Sequence, residues 1–236
     1  FTALQALLNS LAVTFDLPIL DWIQAHLQCT FLDVTMPIVT LFGDGGVFWI
    51  AVAVVLLLFA KYRKTGFSMG MALVLGLLVC NILLKPQVAR IRPYNFQLQE
   101  YGREITLLVK GLNDYSFPSG HTATAFMTAT MLSKEYGHLS PWVGIGAYSV
   151  ATTTGLMRVV NNKHWLSDVL TGAGIGIIST ELGYWVADRL FRDRGITHHS
   201  TAYTLDMMRR PSFLGIYVGM NIPLSKYDID EQHEFR

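Results

Sequence analysis

Two long stretches without a charged residue constrain this chain more than any other feature. Residues 45–60 and 66–84 contain no Asp, Glu, Lys or Arg, and Lys61, Arg63 and Lys64 lie between them. A helix needs about 20 apolar residues to cross the hydrocarbon core of a bilayer. The second stretch approaches that length, and the first does so together with its flanking residues. The sequence therefore predicts a membrane protein.

Further apolar segments extend this pattern into a bundle. We expect spans at about 119–133, 140–157 and 168–187, the last of which contains Glu181. Residues 1–15 are also uncharged and are consistent with the remnant of a sixth span, in a chain that has been processed or trimmed at Phe1. The predicted fold is all-α, a polytopic bundle of five or six transmembrane helices.

Three segments divide the chain. Residues 1–44 are interpreted as a partial span followed by an interfacial and re-entering segment, because four aspartates and two prolines interrupt the apolar pattern between 16 and 44. Residues 45–194 form the predicted membrane domain. In the tail, residues 195–236, apolar side chains occupy every even position from Leu214 to Leu224. That period is typical of a strand, so the tail is either the start of a missing β domain or a frayed end.

Composition excludes several classes of function. Charged residues make up 15% of the chain, whereas soluble domains contain about 25%. This low content argues against a typical water-soluble enzyme and against intrinsic disorder. The formal net charge of +1 gives no reason to expect a nucleic-acid partner. Cys29 and Cys80 are too few for a disulfide framework and show no spacing typical of a metal site.

Polar residues that could take part in catalysis or anion binding lie in three groups at the ends of the predicted spans. The groups are Lys85 with Arg92-Pro93, then Pro118-Ser119-Gly120-His121, then Arg158 with His164 and Asp168. Taken singly, they have structural explanations: cations at the membrane edge, a serine N-cap and an i,i+4 pair. However, an up-and-down helix order brings all three groups to one membrane face. Independent structural roles do not predict that coincidence.

These groups resemble the three signature motifs of the type-2 phosphatidic acid phosphatase and vanadium haloperoxidase superfamily, over roughly residues 40–190. One departure is Met157, because the family often has a serine just before the arginine of the third motif. The resemblance implies a membrane-embedded phosphatase that acts on a lipid phosphate or diphosphate, with no metal and no cofactor.

The resemblance also implies a role for each motif residue. His164 attacks phosphorus and forms a phosphohistidine. A carboxylate beside its other ring nitrogen fixes the tautomer, and Asp168 can supply that carboxylate. His121 protonates the leaving oxygen and then activates water. The groups expected to bind the phosphoryl oxygens are Lys85, Arg92, Ser119, Gly120 and Arg158.

Other polar and small residues near the motifs receive structural interpretations. Arg90, Tyr94 and Lys163 lie close enough to the motifs to contact a headgroup, but the favoured interpretation is anchoring at the membrane edge. Gly172 and Gly176 form a GxxxG pair, which is typical of close helix packing.

The distribution of basic residues orients the predicted bundle. Residues 1–60 contain no Lys or Arg, and their junction with the first clear span lies on the face that carries the motifs. By the positive-inside rule, that face points away from the cytoplasm. In a bacterium it would be the periplasmic side of the inner membrane, and in a eukaryote a lumen or the exterior.

Several alternatives stay open. The same pocket serves haloperoxidases, but their known examples are soluble, unlike this chain. A lipid phosphotransferase could use the same site, and a non-catalytic lipid-binding or transport protein could keep the bundle. The expected partners are membrane lipids and a lipid phosphate, with phosphatidic acid, phosphatidylglycerol phosphate, undecaprenyl pyrophosphate and lipid A phosphates as candidates. The 94–115 loop is predicted to select among them, and the sequence does not indicate an oligomeric state.

Overall fold

The computed structural model describes residues 2–27, 46–101 and 115–191, and the regular elements within these ranges are all helices. The all-α prediction is therefore confirmed for this part of the chain. The predicted strand in the tail lies outside the described residues, as do most of the 94–115 loop and the boundary at 194.

The first helical segment is continuous through residue 27. It consists of α1 (Thr2–Leu11), a π-helical turn (Ala12–Asp16) and α2 (Leu17–Leu27). In the π turn the Leu17 N–H donates to the carbonyl of Ala12, five residues earlier. This wider turn comes directly before Pro18, which has no N–H to donate, so the helix continues where a proline would otherwise interrupt it.

The same segment lies across one end of the bundle. By length and composition, Ala3–His26 could cross a membrane. Within the part of the chain that the structure describes, its buried side chains nevertheless pack at the motif-bearing end: Leu8 packs with Val88 and Phe117, while Leu20 and Ile23 pack in a cluster that includes Trp165. The partial span at residues 1–15 and the interfacial segment from residue 16 stay predictions. We call residues 2–27 the N-terminal strap.

The two uncharged stretches form a helical hairpin. The first contains α3 (Val47–Leu58), and a 3₁₀ turn (Ala60–Tyr62) leads into α4 (Arg63–Leu77). A second π-helical segment (Leu78–Leu84) continues α4 into the short α5 (Lys85–Val88). Ala60–Val88 is thus one apolar helix of 29 residues, long enough to cross a membrane.

A helix occupies part of the region that the sequence predicted to be a loop. α6 (Pro93–Tyr101) begins directly at Pro93. Proline favours the first helical position because its φ angle is already helical and its missing N–H would have no partner there. The prediction of a non-helical segment starting at residue 94 is therefore wrong for residues 94–101.

Three further helices complete the bundle: α7 (Gly120–Tyr136), α8 (Pro141–Val160) and α9 (Leu166–Phe191). α9 packs against α4, α7 and α8 and so lies centrally among them. A Cβ atom added at Gly172 or Gly176 would lie well inside 3.0 Å of the carbonyl oxygens of Ser119 or Ala123 in α7. The prediction that this glycine pair serves close packing is confirmed.

Ion pairs join the helices at the end opposite the motifs. Lys64 Nζ lies 2.5 Å from Asp188 Oδ1, and Lys134 Nζ lies 2.7 Å from Glu181 Oε2. Within the described residues, α9 and the two N-terminal helical segments (Ala3–His26 and Ala60–Val88) are long and apolar enough for a membrane span. The count of five or six spans stays a prediction.

Candidate active site

The first motif is shaped by a sharp reversal of the chain after α5. Ala89 adopts a left-handed conformation with φ 47°, and its N–H donates to the Lys85 carbonyl at 2.9 Å. Ile91 then forms an isolated antiparallel bridge with Tyr115. This bridge places the segment that leads to Arg92 beside the segment that leads to the second motif.

The second motif begins α7. Ser119 is its N-cap: the fully buried side chain accepts a hydrogen bond from the Thr122 N–H at 3.4 Å. The backbone N–H of Ser119 donates to the Asp168 carbonyl at 3.1 Å, which ties the start of α7 to the start of α9. The N-cap explanation is thus confirmed, and it leaves the first-turn N–H groups at an end of the helix that favours anions.

The spacing of the third motif is set by a Schellman motif at the end of α8. Asn162 adopts φ 53°, its N–H donates to the Val159 carbonyl at 2.9 Å, and the Lys163 N–H donates to the Arg158 carbonyl at 3.1 Å. These are the two bonds that define the motif. The His164 N–H also donates to the Arg158 carbonyl, at 3.2 Å. The chain therefore folds back so that His164 lies against the turn that carries Arg158.

The imidazole of His164 has a defined tautomer. Its Nδ1 lies 2.7 Å from the backbone carbonyl oxygen of Ser116, whereas the nearest Asp168 oxygen, Oδ2, is 3.8 Å from Nδ1. A carbonyl oxygen only accepts, so Nδ1 carries the proton and Nε2 of the neutral ring has a free lone pair. The sequence assigned this hydrogen bond to Asp168, but the structure gives it to Ser116. Asp168 acts on the ring from 3.8 Å, through its charge.

Burial keeps this imidazole neutral. Desolvation lowers the pKa of His164 to about 4, although the neighbouring Asp168 opposes the shift and Arg158 and Arg92 add to it. At neutral pH the ring is therefore deprotonated, as a nitrogen nucleophile must be.

Asp168 is fixed by two hydrogen bonds, one to each carboxylate oxygen. Its Oδ2 accepts the backbone N–H of Trp165 at 2.9 Å, as the third residue of a helix does in a capping box. Its Oδ1 accepts a hydrogen bond from Arg90 Nη1 at 2.6 Å. The side chain of Asp168 is fully buried, so its orientation is set entirely by these neighbours.

Arg90 connects Asp168 to the N-terminal strap. Its Nη2 donates to Asp16 Oδ2 at 2.8 Å and to the Leu8 carbonyl at 2.9 Å. Asp16 in turn accepts the Ser167 N–H at 2.9 Å and the Ser167 hydroxyl at 2.6 Å. Arg90 is only 2% exposed. The prediction that Arg90 anchors the protein at the membrane edge is therefore wrong.

Lys163 is also buried rather than placed at the membrane edge. It is 1% exposed, and Arg92 Nη1 donates to its carbonyl at 3.1 Å. Among the described residues, Lys163 Nζ has no hydrogen-bond acceptor, and it lies 5.7 Å from the centre of the Tyr94 ring. Desolvation, together with the charges of Arg92 and Arg158, lowers the pKa of Lys163 to about 8.

The structure brings the residues of all three motifs together. His121, in the first turn of α7, lies within electrostatic reach of four of them: Lys85, Arg92, Arg158 and His164. Arg92, Arg158 and Ser119 are all buried. Within the described parts of the chain, no three His, Cys, Asp or Glu side chains converge as a metal site would require.

Sequence reasoning missed Asp16, Arg90 and the carbonyl of Ser116. One signal was present, because an aspartate inside an apolar run is expensive unless it has a partner and usually marks a functional region. No local pattern identified that partner, since Asp16 and Arg90 are 74 residues apart in the chain. The role of the Ser116 carbonyl has no signal in the sequence, because every residue carries the same group.

Comparison with known proteins connects this geometry to a family. The profile of the PAP2 superfamily matches residues 65–192. A lipid A 1-phosphatase from Porphyromonas gingivalis is 59% identical over 78 residues, which are 33% of this chain and 18% of that protein. The chain spans less than two thirds of the length of each curated relative it matches.

Two crystal structures share the fold. LpxE from Aquifex aeolicus superposes with a TM-score of 0.59 at 27% identity, covering 72% of this chain and 94% of that one. A transmembrane PAP2-type phosphatidylglycerolphosphate phosphatase from Bacillus subtilis gives a TM-score of 0.61 at 22% identity, covering 80% of this chain and 94% of that one. Together with the apolar helices, these likenesses identify an integral membrane protein.

Proposed function

This chain belongs to the PAP2 superfamily, and from that premise we propose that it is a membrane-embedded phosphatase of lipid phosphates or diphosphates. One observation carries the proposal. His164 is buried and neutral, and its Nδ1–H is directed to the Ser116 carbonyl, so Nε2 is left with a lone pair. The motif arginines Arg92 and Arg158 contribute positive charge beside it. A nucleophile next to fixed cations suits attack on a phosphoryl group.

The proposed reaction has two steps. In the first, His164 Nε2 forms a bond to phosphorus while the bond from phosphorus to the lipid oxygen breaks, and His121 donates a proton to that oxygen. In the second, His121 takes a proton from water, the water oxygen attacks phosphorus, and the bond to Nε2 breaks. Lys85, Arg92 and Arg158 hold the non-bridging oxygens throughout. The first-turn N–H groups of α7 supply further donors.

The substrate class follows from the relatives and from where the site lies. The match to a lipid A 1-phosphatase and the fold shared with a phosphatidylglycerolphosphate phosphatase both support a phosphate carried by a membrane lipid. The motif residues lie at one end of apolar helices, where a headgroup would be within reach while its acyl chains stay in the bilayer.

We also propose that the site faces away from the cytoplasm, at the periplasmic side of a bacterial inner membrane. Both ends of the bundle carry basic residues, but those described at the motif end belong to the site. Supporting this orientation, residues 1–60 contain no Lys or Arg, and the basic residues of the opposite end have no part in the site: Lys61, Arg63, Lys64, Lys134 and Arg189. Single cysteines test this orientation. Tyr115→Cys or Leu139→Cys is made in a chain whose Cys29 and Cys80 have been replaced. A membrane-impermeant maleimide applied to spheroplasts should label position 115 and spare position 139; the reverse pattern would invert the topology.

The first test of the activity is release of inorganic phosphate in detergent micelles. The panel contains phosphatidic acid, phosphatidylglycerol phosphate, undecaprenyl pyrophosphate and lipid A, each with and without EDTA. We expect release that resists EDTA and is abolished in His164→Ala. His138→Ala, which removes an exposed histidine of the α7–α8 connection, is the matched control. A folded wild-type protein that releases nothing from any lipid would overturn the proposal in favour of a transferase or a lipid-binding protein.

The second test traps the intermediate. With an activated aryl phosphate, whose leaving group needs no proton, the first step should survive in His121→Ala while the second is slowed. Labelled phosphate should then accumulate on the protein as an acid-labile, base-stable adduct. The same adduct must be missing in the His121→Ala/His164→Ala double variant. Accumulation in that double variant would place the nucleophile elsewhere.

A further inference from the structure

The contacts of Arg90 reach beyond the three motifs. We propose that Arg90, clamped by Asp16, is a positioning residue for Asp168 and hence for His164, so that the N-terminal strap is part of the catalytic machinery. The inference rests on the proposed function, because it assigns a role within that reaction. It names two residues, Arg90 and Asp16, that lie outside the motif pattern.

The geometry of Arg90 is that of a bridge. One terminal nitrogen, Nη1, contacts Asp168 Oδ1 at 2.6 Å and Ser167 Oγ at 2.7 Å. The other, Nη2, contacts Asp16 Oδ2 at 2.8 Å and a strap carbonyl at 2.9 Å. The two ends of one planar guanidinium therefore hold the start of α9 on one side and the strap on the other. A lysine has one nitrogen and could not reproduce both contacts.

The charges explain why a second carboxylate is present. Arg90 with Asp168 alone would form a neutral pair, and the field of Asp168 at His164 would be largely cancelled. Asp16 adds a second negative charge to the buried group, so that the three side chains together carry one net negative charge. When Nε2 bonds to phosphorus, positive charge develops on the His164 ring. The net negative charge of the three side chains faces that ring from its Nδ1 side, through Asp168. The arrangement therefore holds Asp168 in place without neutralising its effect on the ring.

The position of the strap supports the same conclusion. Asp16 ends the π-helical turn, and π turns inside helices occur often at functional sites. Asp16 also accepts the Ser167 N–H, one of the free donors in the first turn of α9, so the strap caps the helix that carries Asp168. A purely structural clamp would need the cap, but it would not need a buried arginine reaching Asp168.

Kinetics can separate positioning from stability alone. Replacing Arg90 by Met leaves two buried carboxylates without their shared cation, and the ring support is lost. We expect kcat in Arg90→Met to fall by about 100-fold, the loss expected when reacting groups are misplaced by about 1 Å, with KM nearly unchanged. Arg90→Lys should recover part of that loss, because it restores the charge but only one side of the bridge. Asp16→Asn keeps the shape and can keep the cap through its amide oxygen, but it removes the charge and turns an NH2 donor toward Arg90 Nη2, so it should lower kcat by about 10-fold.

The pH profile gives a readout that a structural role would not move. The groups that act electrostatically on His164 are Asp168, which raises its pKa, and Arg158 and Arg92, which lower it; His121 faces it from α7. Asp16→Asn removes one negative charge from the buried group behind Asp168. The acid limb of kcat/KM should therefore move to lower pH, by on the order of one unit.

Asp188→Asn is the matched control. It removes the same charge from another ion pair of α9, with Lys64, about 30 Å along the helix from Asp168. It should change neither kcat nor the pH profile, whatever it does to the melting temperature. If Asp16→Asn and Arg90→Met lower the melting temperature but keep kcat and the pH profile of the wild type, Arg90 is only structural and the inference is wrong. Inactivity of the wild type itself would refute the proposed function instead, which the same assay reveals.

Discussion

The contact between Gly172 and Ser119 predicts a large functional effect from one methyl group. Gly172 lies one helical turn after Asp168, and its Cα faces the carbonyl of Ser119, the N-cap of α7. In Gly172→Ala the new Cβ would lie well inside 3.0 Å of that oxygen, which is backbone and has no rotamer to adopt. α7 and α9 must then move apart at the point where the second and third motifs meet.

The magnitude follows from the separation that must be restored. An ordinary carbon–oxygen contact of about 3.3 Å requires a displacement of roughly 0.5–1 Å. This shift would strain the bond from the Ser119 N–H to the Asp168 carbonyl, which is 3.1 Å long in the native protein. A misplacement of about 1 Å between reacting groups lowers rates by about 100-fold. Overpacking should also destabilise the fold by about 1–3 kcal/mol.

Gly174→Ala is the comparison that isolates the contact. It lies two residues further along the same helix, and nothing is within 4 Å of the position of its Cβ. Alanine there should keep wild-type activity and stabilise the helix by up to about 1 kcal/mol. Initial rates of phosphate release and thermal unfolding, both in the same detergent, measure the two effects. Wild-type kcat in a folded Gly172→Ala protein would show that this contact does not hold the two motifs in register.

Three further predictions follow from charges in the structure. Because His164 is neutral in the fold, with a pKa of about 4 against 6.5 unfolded, the unfolded chain binds more protons between these values. Stability should therefore fall as pH decreases from about 6.5 to 4, by up to about 3 kcal/mol, and His164→Gln should flatten this dependence in chemical denaturation. The charge of Lys163 lies close enough to Arg92 and Arg158 to interact with them, and the pKa of Lys163 is lowered to about 8. Loss of this charge between pH 7 and 9 should therefore weaken binding of the substrate phosphate and raise KM, and Lys163→Met should remove that rise in initial-rate assays. Glu181→Gln breaks a half-exposed pair with Lys134 and should cost less than about 1 kcal/mol in thermal unfolding, with activity unchanged.

The motif residues could be predicted from the sequence because their signals are local. Pro118-Ser119-Gly120-His121 reads as a helix start, and Ser119 is indeed the N-cap of α7. The hydrophobic stretches gave the helices of the bundle, because runs that long have few other ways to satisfy their backbone in a membrane. The alternation of helix direction then sufficed to bring the three groups to one end.

The supporting contacts could not be predicted, because they join distant segments. The Ser116 carbonyl meets His164 across 48 residues, and its position depends on the chain reversal at Ala89. The aspartates and the proline in residues 16–27 predicted an interruption of the helix. The helix nevertheless continues, because Arg90 pairs with Asp16 and the π turn accommodates Pro18. In each case a tertiary contact decided between two locally reasonable conformations.

The order of synthesis gives the strap a further consequence. Asp16 leaves the ribosome before its partners, because Arg90 and Ser167 lie 74 and 151 positions later in the chain. At about 5–20 residues per second, the strap waits on the order of 10 s before Ser167 is made. The strap can complete these contacts only after α9 has begun, although its contacts with Val88, Arg90 and Phe117 are available earlier. A nascent chain that already contains all three motifs would therefore lack full hydrolytic activity until the strap has docked.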